Sequence, residues 1–264
     1  MSRVPPEPFE LYAIRYACLE GRRPHEVFIG GDPHESSFDM DYFVWAAVGR
    51  TQSFVIDTGF NEEAARKRKR EFLRSPSEAL RSVGIDPATA TDVVITHLHY
   101  DHVGNFDRFP GAVFHLQDRE MAFATGRHMC HPFMNAAFEV EDVVGMVREV
   151  YKGRVRFHDG DAELAPGLTL HAVGGHSAGL QVVRVATRRG HVVIASDASH
   201  FYAHMEGGRC FPITFDLGAV LEGYRKLREL ADSPAHIIPG HDPLVMRRYP
   251  APREELDGVV ARLD

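Results

Sequence analysis

The run Val93-Val94-Ile95-Thr96-His97-Leu98-His99-Tyr100-Asp101-His102 decides how this sequence reads. A short β-branched stretch, the mark of a buried strand, opens directly into a His-x-His-x-Asp-His pattern. Imidazole and carboxylate are donors that zinc and its first-row neighbours accept, and a turn leaving a strand can aim several of them into one pocket. A solvated His-rich turn is the plain alternative, and the density of metal-capable side chains between His97 and His102 makes it the weaker one.

Further segments downstream also end an apolar run on a candidate ligand: Leu168 to His176, Val192 to Asp197, and His236 to His241. Each alone says little, because a histidine after a strand is more often an ordinary loop residue. In this order behind the first cluster they reinforce one another.

The succession resembles the metallo-β-lactamase superfamily over a span from about Phe54 to His241. The resemblance implies a dinuclear centre. His97, His99 and His176 correspond to its first metal site, Asp101, His102 and His241 to the second, and Asp197 to the carboxylate that bridges them. Two divalent ions per chain are implied, with zinc foremost and iron, cobalt or manganese accepted by the same donors. The family also implies an αββα sandwich, an α/β (α+β) fold of two sheets flanked by helices, with residues 1–264 as one hydrolase domain. The order of elements alone indicates only mixed α and β. Val55-Ile56-Asp57-Thr58-Gly59 looks like the family's early strand and turn, which puts Asp57 behind a ligand imidazole, fixing its tautomer. Without the family, those residues are equally an ordinary Asp-Thr-Gly turn.

β-Branched and aromatic content predicts strands near Glu10 to Ala17, Tyr42 to Val48, Ser53 to Ile56 and Val93 to Thr96. Others are expected near Val155, Leu168 to Val173, Gln181 to Ala186 and His191 to Ala195. Asn61 is placed to cap a helix, and Pro76 to start another that Gly84 ends. In a helix from about Leu217 to Leu230, apolar Leu217, Val220, Leu221, Tyr224, Leu227 and Leu230 stand at helical spacing and are expected to face the core.

With 264 residues, 44% hydrophobic and 25% charged, the chain has the composition of a soluble enzyme that buries a core without disulfide staples. A net charge of -7 argues against general nucleic-acid affinity, since phosphates need a basic surface. Arg66-Lys67-Arg68-Lys69-Arg70 is the local exception. Glu62 and Glu63 precede Arg66 and Lys67 by one helical turn, the orientation of an exposed, charge-paired helix, so the run is read as solvated and implies no partner. Met1 to Pro8 lacks the apolar core of a signal peptide, and no stretch approaches the ~20 apolar residues of a membrane span. A cytoplasmic protein without membrane attachment is expected. Cys18, Cys130 and Cys210 are odd in number and far apart, which favours reduced thiols over a disulfide framework or a thiolate zinc site. The oligomeric state has no signature in the sequence.

Two cations held roughly 3.5 to 4 Å apart can lower the pKa of a shared water from 15.7 toward ~7. The implied donor set therefore suits hydrolysis at neutral pH, with charge stabilised on both sides of the cleaved bond. By resemblance to the family's lactonases, Asp101 is the candidate to carry a proton to the leaving group. Departures from other branches narrow the class. β-Lactamases proper carry cysteine or serine where Asp197 stands, and they are exported. Glyoxalase II enzymes add a helical domain for which Asp242 to Asp264 is too short. Flavodiiron reductases put glutamate where His99 stands, and RNase Z-type nucleases need a basic arm.

What remains similar is the N-acyl-homoserine-lactone lactonase branch. His176-Ser177-Ala178-Gly179-Leu180-Gln181 looks like its His-Thr-Pro-Gly-His-Gln segment, Asp197-Ala198-Ser199 like its Asp-Ala-Ser, and Gly240-His241-Asp242 like its ending. Those lactonases have a tyrosine three residues after the bridging aspartate, where this chain has His200. His200 is a candidate oxyanion donor, Tyr202 is the alternative substitute, and ordinary loop roles are the plain reading of both. Leu180 replaces a second histidine, which points to a pocket for a different ring or ester. A small-molecule lactone is the expected substrate, with quorum quenching of an acyl-homoserine lactone as one instance. Another ester, thioester or cyclic amide is the second reading. A mononuclear iron dioxygenase, its metal held by two histidines and an aspartate, is the third.

Two insertions are candidates for substrate contact. Thr125 to Phe138 carries Met129, Cys130, His131, Phe133, Met134 and Phe138, adaptable groups that suit an acyl chain and equally suit core packing. The loop Gly30 to Met40 offers His34 and Asp39 toward the metal cleft.

Overall fold

The computed structural model describes residues 7–264; Met1 to Pro6, part of the stretch scanned for a leader, lie outside the described residues. Its strands are β1 (Glu10–Arg22), β2 (Phe38–Val48), β3 (Ser53–Ile56), β4 (Glu71–Phe72), β5 (Asp92–Val94), β6 (Val113–Gln117) and β7 (Val155–His158). They continue with β8 (Ala162–Ala165), β9 (Leu168–Ala172), β10 (Gln181–Thr187), β11 (Gly190–Ser196), β12 (Ile237–Pro239) and β13 (Val260–Arg262). One sheet has the order β13-β1-β2-β3-β5-β6-β7, with β4 paired to β1; the other has the order β12-β11-β10-β9-β8.

Strand periodicity sorts the side chains into layers. From β1 and β2, Leu11, Ala13, Phe43 and Trp45 join Leu168, Leu170, Val183 and Ile194 in one core, between the sheets. Their neighbours Tyr12, Ile14, Tyr42 and Val44 face the other way and pack with Val143 and Met146 of the helix Val140–Tyr151. Both faces are buried, so these strands read as nearly continuous apolar runs. The helix Leu217–Leu230 covers the second sheet with Val220, Tyr224 and Leu227, and Arg184 Nε of β10 donates to its Leu230 carbonyl at 2.7 Å. Helix, sheet, sheet and helix make the expected αββα sandwich.

Asn61 accepts from the Ala64 amide as expected of a cap, and the turn from Pro76 ends at Gly84 with φ +84. Leu217 and Leu221 do not face the core: they are 48% and 46% exposed, flanking the stripe of Val220, Tyr224 and Leu227. β6, β8, β12, β13 and the helix Val140–Tyr151 go beyond the expected elements. β6, β8 and β13 carry at most one β-branched residue each and Pro239 breaks the run of β12, while the helix is weakened by its valines and Gly145. Gly145 is there because a Cβ would collide with the Phe106 ring. Among the described residues no helix is long and apolar enough to cross a membrane, and the three cysteines are free thiols.

Candidate metal centre

Four strand ends deliver the candidate ligands. His97, His99, Asp101 and His102 follow β5, running into the helical turn Tyr100–Val103; His176 lies beyond β9, Asp197 follows β11, and His241 follows β12. All seven are buried, none more than 7% exposed. Their donor atoms gather into overlapping groups, His97 with His99 and His176, His97 with His102 and Asp197, and Asp101 with His102 and His241, each within 4.8 Å.

Asp197 offers one oxygen to each side. Its Oδ2 lies 3.2 Å from His176 Nε2 and 3.9 Å from His97 Nε2, while Oδ1 lies 3.3 Å from His102 Nε2 and 3.0 Å from His241 Nε2. Asp101 Oδ2 faces the second set, 3.8 Å from His102 Nε2 and 3.7 Å from His241 Nε2.

The far nitrogens of three ligands are already engaged. His102 Nδ1 donates to Asp57 Oδ2 at 2.7 Å, His176 Nδ1 to the Ile213 carbonyl at 2.6 Å, and His241 Nδ1 to the Asp41 carbonyl at 2.9 Å. An acceptor at Nδ1 keeps the proton there and leaves Nε2 a bare lone pair. Nε2 of His97, His102 and His241 and Oδ1 of Asp197 are buried with no hydrogen-bond partner. Buried polar atoms are rarely left so. Convergent orphaned donors of this type fit divalent metal ions.

Asp57, the turn residue expected behind a ligand, also accepts from Thr96 N at 2.7 Å and Thr96 Oγ1 at 2.8 Å. It sits at φ +61, and Ser196 before Asp197 at φ +46. Such backbone persists in non-glycine residues only where the surroundings over-determine it. The loops after β11 and β12 are laced together, Gly240 N to the Ser199 carbonyl and His241 N to the His200 carbonyl, both at 2.9 Å. A Cβ at Gly240 would stand 2.7 Å from Asp197 Oδ1, so only glycine lets the two loops approach.

Electrostatics follow from burial. Desolvation, with neighbouring imidazoles behind it, holds His97 and His99 well below the usual histidine value, which keeps them neutral. Burial opposes a charge on His102 too, but Asp197, Asp57 and Asp101 together outweigh it and raise His102 well above that value, so at its Nε2 a second proton competes with a metal ion for the lone pair. Despite its own burial, Asp197 is held well below the carboxylate range by His241, His102, His200 and His176.

One supporting residue has no signal in the sequence. Glu120, fully buried in the helix Asp118–Ala124, accepts from Leu98 N at 2.9 Å, Ser177 Oγ at 2.7 Å and Gly179 N at 2.9 Å. It clamps the loop of His97 and His99 to the loop of His176. Burial raises its pKa against the pull of these bonds. In the sequence it is one more acidic residue in a first helical turn.

His200 reaches the cleft. Its Nε2 lies 3.0 Å from Asp197 Oδ2 without an aligned hydrogen bond, and its ring stacks on Phe211 at 3.9 Å. Tyr202 does not reach it: the side chain lies in a separate cleft with Phe38 and Asp242, under the Arg248 guanidinium at 3.8 Å. Leu180 is buried in the core between the sheets, so its departure from the family pattern does not shape the pocket.

The cleft itself is floored by His99, Asp101, His176, Asp197 and His200. Phe123, Phe133, Met134, Ile213 and Phe215 give it an apolar side, so the expected insertion contributes two aromatic or sulfur groups directly. Phe138 packs its ring on His99 at 4.6 Å, Met129 joins the core, and Cys130 and His131 are exposed. His34 is exposed and Asp39 accepts from Gly21 N at 3.0 Å; neither lines the cleft. The basic run departs most from expectation. Lys67 and Arg68 pair with Glu139, at 2.5 and 2.8 Å, rather than with Glu62 or Glu63. Lys69, at φ +55, then turns the chain so that Arg70 joins Arg68, Arg22, Tyr42 and Tyr100 in lining the cleft.

The family model of the metallo-beta-lactamase superfamily matches residues 41–241. The chain belongs to the metallo-β-lactamase superfamily. Within the superfamily it is 29% identical over 174 residues to the N-acyl homoserine lactonase AttM of Azorhizobium caulinodans, a match spanning 62% of each chain. It is 26% identical over 217 residues to the N-acyl homoserine lactonase AiiA of Bacillus thuringiensis subsp. kurstaki, covering 75% of this chain and 81% of that one. Among solved superfamily structures, an N-acyl homoserine lactone hydrolase with N-hexanoyl-L-homoserine at its catalytic metal centre superposes with a TM-score of 0.78. That match has 21% identity and covers 94% of this chain and 99% of the other. The dizinc quorum-quenching lactonase AidC gives 0.70 at 17% identity, covering 89% and 88%.

Proposed function

We propose that this chain is a dinuclear metal-dependent hydrolase that opens lactone rings, acting in the cytoplasm on substrates of the acyl-homoserine-lactone kind, with zinc as its metal. The observation that carries it is Asp197, with one carboxylate oxygen turned to His97 and His176 and the other to His102 and His241. His97, His99 and His176 would hold one ion, Asp101, His102 and His241 the other, with Asp197 shared. When bound, such a pair supplies an activated water at neutral pH and Lewis-acid stabilisation of the developing charge.

The protein's own residues do the rest. Asp101 faces the second set of donors and also lines the cleft, which suits it to pass a proton to the departing oxygen. Burial keeps His200 neutral, and an Nε2 proton there serves the substrate carbonyl oxygen as a hydrogen-bond donor. Phe133, Met134 and Phe215 exclude water and accept an apolar acyl chain. The lactonase relatives support the substrate class, and the three free thiols suit a reducing compartment.

A pH-stat assay of metal-quantified protein against acyl-homoserine lactones, simple γ- and δ-lactones and aryl esters tests this reading. Two metals per chain and ring opening are expected, with Asp101→Asn roughly 10²–10⁴-fold slower and His200→Ala roughly 10²-fold slower. Two bound metals without lactone turnover would sink the lactone assignment. One iron per chain with oxygen consumption would sink the hydrolase itself.

A further inference from the structure

Of the three arginines lining the cleft, only Arg68 has a counter-ion, Glu139 at 2.8 Å. Arg22 and Arg70 are half-buried and, among the described residues, make hydrogen bonds but no ion pair. Arg70 Nε donates to Tyr100 Oη at 3.2 Å and Nη1 to the Arg68 carbonyl at 2.7 Å. Arg22 Nη2 donates to the Glu26 carbonyl at 2.6 Å, and its Nη1 meets only Met40 Sδ, a weak acceptor, at 3.1 Å. A guanidinium has five N–H donors, so both side chains are fixed in place with donors unused.

For Arg22 the placement is electrostatically unfavourable as it stands. Desolvation holds the Arg22 guanidinium below its ordinary value, and the like charge of Arg70 adds to this against the pull of Tyr42. Arg70 differs: against its burial, Tyr42, Tyr100 and Asp101 hold it above its ordinary value, although Asp101 lies beyond ion-pair distance and belongs to the candidate metal ligands. A partly buried guanidinium with unused donors and no ion pair, as at Arg22, is costly unless an anion visits it, and Arg70 turns spare donors to the same cleft. A neutral acyl-homoserine lactone brings no anion.

We propose that Arg22 and Arg70 form an anion subsite, and that the natural substrate is a lactone or ester carrying a carboxylate or phosphate away from the bond that is cleaved. The proposal rests on the hydrolase reading above, keeps its ring-opening chemistry and puts an anionic substrate in place of the neutral acyl-homoserine lactone. Arginine's planar fork suits either group, and the two are told apart by experiment.

The metal-loaded enzyme should be assayed on a γ-lactone bearing a carboxylate, its neutral methyl ester, and the phosphate-bearing counterpart. Wild type is expected to prefer the better anion over the neutral ester by roughly 10- to 100-fold in kcat/KM, mostly through KM, as charged hydrogen bonds would give. Raising ionic strength should erode that preference. Arg22→Met and Arg70→Met should each cut the ratio about tenfold, with Arg70→Lys recovering part of it. A wild-type ratio near one, or a ratio unmoved in both variants, overturns the subsite. Calorimetry of glutarate binding to the zinc-loaded wild type and variants separates the two claims. Glutarate binding weakened in the variants without any lactone turnover keeps the subsite and overturns the lactone reading. Lactone turnover without charge preference does the reverse.

Discussion

His97 to His102 and Arg66 to Arg70 are both dense runs of functional side chains, and both finish on the same cleft, yet they arrive by different routes. The histidine run leaves a buried strand end, so its ligands turn inward together. The basic run begins on the short surface helix Glu62–Arg68, where Arg66 stays in water and Arg68 reaches the cleft; Arg70 reaches it only because Lys69 ends the helix and turns the chain. Density of residue type is therefore informative only with the element that carries it. On a strand end a whole cluster can be functional; on a helix only one stripe is.

The sharpest way to break this comparison is Asp197→Ala. Losing the shared carboxylate should drop the metal content below two per chain and the hydrolysis rate by roughly 10³-fold or more; full metal content by mass spectrometry would refute the bridging role. His204 tests whether burial alone explains the histidines, since it is buried and bonded to the Val27 carbonyl with no metal role. Burial lowers it from 6.5 to about 4. The unfolded chain thus binds the extra proton first, and stability present above pH ~6.5 is lost as the pH falls toward 4, on the order of 3 kcal/mol. Denaturant melts should show a shallower fall for His204→Gln, and parallel curves would contradict the assignment.

Glu120→Gln keeps one acceptor of the clamp between the two ligand loops, and is expected to cost about 1–3 kcal/mol and to weaken metal binding by roughly tenfold. Unchanged metal affinity in a competition titration would reduce Glu120 to a packing role. Arg68→Ala should cost about 1 kcal/mol through its lost bonds to Glu139 and the Phe138 carbonyl, while Arg66→Ala should stay within about 0.5 kcal/mol. Equal effects would erase the distinction between the two sides of the helix. One expected change is favourable: Lys69→Gly relieves a positive φ and should gain a few tenths of a kcal/mol, roughly 0.3, in a thermal melt.

The candidate metal ligands are legible because each stands at the end of an apolar run and in a familiar order. Asp57 is legible by the same logic, and the structure puts it behind His102. The cleft walls are not. Arg22, Glu120, Phe123 and Phe215 come from separate elements, and nothing local distinguishes them from surface charge or core. Tyr202 shows the limit of spacing: two residues beyond His200, it starts a helix and packs under Arg248 on another face. His34 and Asp39 stay out of the cleft, and from the stretch Gly30 to Met40 it is Met40, already in β2, that lines it.

The lacing of Gly240 to Ser199 and of His241 to His200 has a consequence for how such an enzyme diversifies. His200 lines the cleft, yet its backbone is bonded to the loop of His241, so a change of chain path there disturbs His241 as well. Phe133 and Met134 sit on a short helical turn whose tie to the ligand loop, Tyr100 N to the Ala137 carbonyl at 2.9 Å, lies past its end. Substrate range can drift through that turn while the chemistry is inherited intact, whereas innovation at His200 must pass through the metal centre.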